Sequence, residues 1–115
     1  MTESQIAVKA RIEENWKAYM TYMPEVAEAY EQLPQEVYKD GVVSGKHKRL
    51  MGLVGALIGG CRACILYQTG QSLERGATVE EILESCAVAV SLGGTMASGQ
   101  TSRVVDYLRE MDLME

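Results

Sequence analysis

Apolar residues along the first third of the chain recur at helical rather than strand spacing. Ile6, Ile12, Trp16, Met20 and Met23 lie three, four and six residues apart, which predicts an amphipathic helix over about residues 3–22 with that stripe turned inward. Pro24 suits the first position of a second helix, where a missing N–H costs nothing, and Val26, Ala27, Tyr30 and Leu33 give that helix an inward face. Pro34 should close it, because proline donates no backbone hydrogen bond and crowds the turn before it, leaving a short helical turn over residues 35–39. Asp40-Gly41 then breaks the chain, and Val42-Val43 is too short for more than an extended connection.

The middle of the chain is more apolar. From Gly45 to Ile58, Leu50, Met51, Leu53, Val54, Leu57 and Ile58 cover nearly every side after the first turn, the pattern of a central helix buried all round. Gly52, Gly55, Gly59 and Gly60 each weaken a helix by about 1 kcal/mol relative to alanine, a loss usually offset by close helix packing. A fresh helix should start at Cys61 and end at Arg75-Gly76, with the glycine as its cap. Thr78-Val79-Glu80-Glu81 has the spacing of a capping box, so another helix follows and buries Ile82, Leu83, Cys86, Val88 or Ala89, and Val90 as far as Gly93-Gly94. Thr95 or Ser98 opens the last helix, striped by Val104, Val105, Leu108 and Met111. No sustained period of two suggests a sheet, so the fold class is all-α, with about six helices in a single domain over 1–115.

Composition narrows the function classes. The 115 residues suit one domain, and 47% hydrophobic with 23% charged residues are the proportions of a chain that folds. A core this small is marginal alone, and seven methionines with several small-residue runs suit a subunit interface, so a homo-oligomer is expected. Sixteen acidic against eleven basic residues give a net charge of −5, and the short run Lys46-His47-Lys48-Arg49 is too small a positive footprint for nucleic acid. That run reads as a solvated first helical turn, with Arg49 held open as a functional residue. The segment from Met1 to Asn15 has no signal-peptide pattern, and the stretch from Leu50 to Ala63 falls short of the roughly 20 residues of a membrane helix. A cytoplasmic protein without membrane contact is expected, and three cysteines there are no disulfide framework.

The spacing Cys61-x-x-Cys64 carries the chemistry. Residues at i and i+3 of a helix face the same way, close enough to join after a modest adjustment, and a helix N-terminus favours a thiolate. Three other readings apply to cysteines in this pattern. A structural zinc set of Cys61, Cys64, Cys86 and His47 lacks the usual second closely spaced pair. Haem attachment needs a histidine where Ile65 stands, and inert packing as small hydrophobes suits Cys86 better than the pair. His47 and Tyr67 are the titratable neighbours that could carry protons, though a histidine in a basic first turn is usually solvent-facing and a tyrosine beside a buried pair is usually core. No nucleotide-binding glycine fingerprint occurs, so no cofactor is expected.

Residues 46–94 resemble the carboxymuconolactone decarboxylase superfamily, in particular its alkylhydroperoxidase D-like branch. The resemblance rests on Lys48-Arg49-Leu50 opening an apolar helix, Cys61-Arg62-Ala63-Cys64 twelve residues on, Gly76-Ala77-Thr78-Val79-Glu80-Glu81-Ile82-Leu83-Glu84, and an alanine- and valine-rich helix ending in Gly93-Gly94. It implies an alkylhydroperoxidase D-like helical bundle assembling as trimers or hexamers. It also implies a peroxidase or disulfide oxidoreductase whose dithiol acts on a small hydroperoxide or disulfide and is reduced by a dithiol donor protein. By resemblance Cys64 attacks the peroxide and Cys61 resolves, whereas the helix-terminus argument makes Cys61 the more acidic thiol. The family's relay glutamate and histidine are replaced here by Arg49 and Gln68. Gln68 can orient a water or substrate and Arg49 can stabilise a thiolate, but neither exchanges protons at neutral pH. Two alternatives follow from that loss: a non-catalytic redox sensor or oligomeric binding protein, and an enzyme of the decarboxylase branch.

Overall fold

A computed structural model describes residues 3–115 and contains five helices. They are α1 (Gln5–Tyr22), α2 (Pro24–Val37), α3 (Gly45–Gly59), α4 (Arg62–Glu74) and α5 (Val79–Glu110). Met1 and Thr2, included in the 1–115 domain and in the polar N-terminal stretch, lie outside the described residues. The all-α expectation holds, with no strand among the described residues.

Helix ends follow local chemistry. Ser4, Ser44 and Thr78 each accept a backbone N–H at the head of α1, α3 and α5, and Glu81 completes the capping box by accepting from Thr78 N at 2.9 Å. Gly60 ends α3 and Gly76 follows α4, both in the left-handed region that glycine enters at no steric cost. Gly94 (φ 64°, ψ −143°) is non-helical inside α5 and divides it into two arms. α5 is long and apolar enough overall to match a membrane span, yet neither arm reaches the roughly 20 residues that spanning requires.

Five helices stand where about six are expected because the two helices expected to meet at Gly93-Gly94 run on as one, α5, kinked at Gly94; separately, Pro34 does not end α2. The helix runs on to Val37, and Tyr38 N still donates to Pro34 O at 2.9 Å. Proline removes one donor and leaves its own carbonyl free to accept, so the break expected at Leu33 is absent.

α3 is the hub and packs most extensively against α5 and α4. Leu50, Leu53, Ala56, Leu57, Ile65, Ala77, Ile82, Cys86, Ala89, Ala97, Val104 and Leu108 form one apolar cluster. At the choice between Val88 and Ala89, the structure buries Ala89 and exposes Val88. Three expected inward faces are corrected. α3 is not buried all round, since Met51 is exposed along with Gly55 and Gly59. On α1 the stripe is only half-buried at Ile12, Trp16 and Met20, and Ile6 and Met23 are exposed. α2 buries Ala27 alone, leaving Tyr30 62% and Leu33 64% exposed. Only α1 packs appreciably on α2, so no further helix of this chain covers that face.

Candidate functional site

The site begins where α3 turns into α4. Gly60 reverses the chain, and Cys61 takes the extended N-cap position of α4, its sulfur accepting from Cys64 N at 3.2 Å. That geometry places the two cysteines side by side, with their Cα atoms 5.3 Å apart, and they form a disulfide. Cys64 is exposed and Cys61 is half-buried, so the pair is open to solution. Cys86 is the opposite case: a free thiol inside the core, where burial pushes its pKa up to about 11. It stays protonated at neutral pH and behaves as a small apolar side chain. The Cys3His zinc set is not assembled, since the described residues contain no group of three or more His, Cys, Asp or Glu side chains suited to a metal ion.

Beside the dithiol, α3 and α4 bring Arg49 and Gln68 together. Arg49 lies in the first turns of α3 and is only 5% exposed. Its Nη1 donates to Gln68 Oε1 at 3.3 Å, and Gln68 Nε2 donates to Tyr38 Oη at 2.9 Å. The guanidinium carbon sits 3.8 Å from the Tyr38 ring centroid and 5.4 Å from that of Tyr67. Both are within cation–π range. Gly52, one turn beyond Arg49, makes the closure possible, because a Cβ there would come within 2.7 Å of the Gln68 amide nitrogen and 3.0 Å of the Tyr38 hydroxyl. Cys64, Tyr67 and Gln68 are spaced i, i+3 and i+4 on α4, so they share one face of the helix.

The basic run is therefore not one wet turn. His47 is exposed, with Nδ1 3.0 Å from Ser44 Oγ. Lys46 pairs with Glu81 at 2.9 Å, and this pairing, together with Thr78 N, holds the Glu81 carboxyl below the usual carboxylate range. Lys48 Nζ donates to the Lys39 carbonyl at 2.8 Å. Only Arg49 is buried; it stands four residues before Leu53 and seven before Ala56, on a buried stripe of α3. Tyr67 is not core either, being 43% exposed.

Tyr38 is the participant that sequence reasoning missed. It is the C-cap residue of α2, one turn after Pro34. Ending the helix at Pro34 assigned it to an isolated turn with no face to present. Reading the helix through the proline is the signal that finds it, because Tyr38 then becomes the last ordered position before the link to α3. That link is itself anchored, with Arg75 Nη1 donating to Tyr38 O at 3.1 Å and Gly45 N to Asp40 Oδ1 at 2.7 Å.

A partly exposed dithiol at a helix head, flanked by a cation and an amide on a five-helix frame, defines a class of thiol-bearing helical proteins. Residues 24–106 match the Carboxymuconolactone decarboxylase family, and the chain belongs to that family. A protein of Cupriavidus necator with no assigned function is 27% identical over 84 residues, 73% of this chain and 74% of that protein. The apo form of lpg0406, a carboxymuconolactone decarboxylase family protein of Legionella pneumophila, superimposes with a TM-score of 0.88 at 25% identity, covering 95% of this chain and 97% of that one. TM1620 of Thermotoga maritima, a family protein with a suggested part in the antioxidative response, is 33% identical with a TM-score of 0.69, covering 74% of this chain and 88% of that one.

Proposed function

We propose that the protein is a thiol-dependent peroxidase or disulfide oxidoreductase of the alkylhydroperoxidase D-like branch, working through Cys61 and Cys64. The observation that carries this reading is the Cys61–Cys64 bond at the solvent-open head of α4, in a chain whose remaining thiol is buried and protonated. The suggested antioxidative part of TM1620 points the same way.

Reaction with a hydroperoxide balances as follows. The Cys64 thiolate attacks the peroxide oxygen, the O–O bond breaks, and an alcohol leaves with a sulfenic acid on Cys64. The Cys61 thiol then displaces water from that sulfur, and a disulfide forms. Two thiols and one hydroperoxide thus give one disulfide, one alcohol and one water. A dithiol donor protein returns the two electrons by exchange through a mixed disulfide. Among the described partners of Arg49 and Gln68 there is no carboxylate or imidazole to carry protons, a feature that favours thiol–disulfide exchange as the second reading. Exchange with an acidic leaving thiol needs no general acid.

A second copy of the chain belongs to this reading. Met23, Val26, Tyr30, Leu33 and Val37 stand at steps of three and four along α2 and are all exposed. That is the seam of a helix that packs against another helix. We therefore assign the face to a homo-oligomer, which the family resemblance implies is a trimer or hexamer.

The test uses the reduced full-length protein with hydrogen peroxide and with an alkyl hydroperoxide, counting free thiols over time and then adding excess dithiol for turnover. Loss of two thiols per chain, abolished in Cys64→Ser and stalled at a one-thiol stage in Cys61→Ser, is expected. A rate no greater than that of a free thiol such as glutathione overturns the peroxidase. Rapid reduction of a small disulfide under the same conditions then selects the exchange reading.

A further inference from the structure

Arg49 is a buried cation without an anion. The other arginines and lysines whose salt bridges appear in the structure reach a carboxylate within 4 Å, Arg62 and Arg103 both meeting Glu3, yet no described carboxylate reaches Arg49. A guanidinium cannot discharge itself by losing a proton, so its burial must be offset by neighbours. Those present are two aromatic rings and one neutral amide. The amide bond is long at 3.3 Å, where charge-assisted bonds to a true anion run to about 2.7–2.9 Å. Nε–H is sealed from solvent with no acceptor at all, and Nη2 makes no hydrogen bond to a described residue. Nε and Nη2 together form the side-on edge of the guanidinium, the fork that grips a carboxylate through two parallel bonds.

The surroundings are arranged to hold that fork in place. Tyr38 supports one face of the guanidinium, and its hydroxyl fixes the Gln68 amide. Bare Gly52 leaves room for both. Tyr67, the most exposed of the aromatic and amide neighbours, borders solvent on the helix face that also carries Cys64. In the disulfide form neither cysteine is a thiolate, so the chain itself supplies no negative charge here.

We propose that Arg49 is a receptor for a carboxylate, met first at the unbonded Nη2, which is not among the sealed atoms, with the neighbouring Nε completing the fork once the carboxylate enters, and that the substrate brought to the dithiol is a carboxylate-bearing hydroperoxide or disulfide. The substrate assignment rests on the redox reading above; the carboxylate site does not, because it exists in the oxidised resting protein. Gln68 Oε1 accepts from Nη1 and so leaves Nη2 and Nε to the incoming anion.

The experiment titrates benzoate into the oxidised full-length protein, with benzamide as a neutral control of the same shape, and follows the Arg49 Nε–H resonance and thermal stability. Saturable binding of benzoate at least about tenfold tighter than benzamide is expected, with a downfield shift of that resonance. Gln68→Glu places a carboxylate against the same guanidinium within an almost unchanged volume. It should abolish benzoate binding and raise the melting temperature, and it keeps the test valid should Arg49→Met fail to fold. Equal binding of benzoate and benzamide, or undiminished benzoate binding in Gln68→Glu, overturns the proposal. If benzoate binds oxidised protein and weakens on reduction of the disulfide, the thiolate and the carboxylate compete for one cation. If it does not bind oxidised protein at all, Arg49 serves the thiolate alone and the carboxylate site is refuted. Peroxide turnover is measured separately, so an inactive protein that still binds benzoate refutes the redox reading and leaves the anion site standing.

Discussion

The two ends of the chain use the same kinds of apolar residue to opposite effect. In α3, α4 and α5, Leu53, Leu57, Ile65, Ile82 and Leu108 are wholly buried and touch one another. In α1 and α2 the apolar residues are as regularly spaced, yet Gln5 and Ala27 are the only buried residues of those helices. Helical periodicity therefore identifies a face that is to be covered without identifying what covers it. In the second half the cover is the same chain; α1 still packs on α4 and α5, but α2 is reached only by α1. Trp16 illustrates the arm's own economy, stacking on Tyr19, meeting Tyr30 edge-on and donating to Glu31 at 2.8 Å, so α1 and α2 hold each other.

The largest expected effect falls on the core. Leu53→Ala removes a wholly buried side chain from the hub helix and should cost about 2–5 kcal/mol in urea unfolding. That loss should not vary with protein concentration, because the contacts are within one chain; a concentration-dependent loss would move Leu53 into the interface class. Next comes the arm. The double variant Tyr30→Glu, Leu33→Glu should leave helix content by circular dichroism intact while lowering the mass seen in sedimentation to that of one chain. An unchanged sedimentation mass would show that the α2 stripe is not the seam between copies.

The smallest effect concerns the attachment of the arm to the body. Glu110 at the end of α5 accepts from Ser4 Oγ and from the backbone of Gln5 at 2.7 Å, and these bonds, Ser4 first, hold its carboxyl below the usual range. A carboxyl depressed in the folded state stabilises the fold above its ordinary titration range, and that contribution disappears as the pH falls through the lowered folded value. Protection at the head of α1, taken as exchange relative to the intrinsic rate at each pH, should therefore fall on acidification. Glu110→Gln should bring a similarly reduced protection already at neutral pH, with a flatter acid response. Identical acid profiles in the two proteins would detach α1 from this carboxylate.

What was legible in the sequence follows the same division. The Thr78–Glu81 box, the Gly76 cap and the helix opened by the cysteines were readable because each depends on residues within one turn. The inward faces of α1 and α2 were misjudged because burial depends on partners far away in the chain or outside it. Pro34 misled because the cost of one missing donor was treated as decisive when the rest of the ladder persists. Of the site, the dithiol was readable from spacing alone. The basic run concealed Arg49, whose direction is set by sharing a helical face with Leu53 and Ala56, and Tyr38 disappeared with the premature helix end.

The cap at the head of α4 decides how the cysteines can be replaced without side effects. Cys61 sulfur is both a redox atom and the acceptor for the Cys64 N–H, so deleting it removes an electron carrier and a helix anchor together. Serine preserves an acceptor at that position and is intrinsically a strong N-cap residue, whereas alanine leaves the amide orphaned. Cys61→Ser is thus the faithful isostere for any assay meant to isolate chemistry, and the difference between the serine and alanine replacements reads out the anchoring role alone.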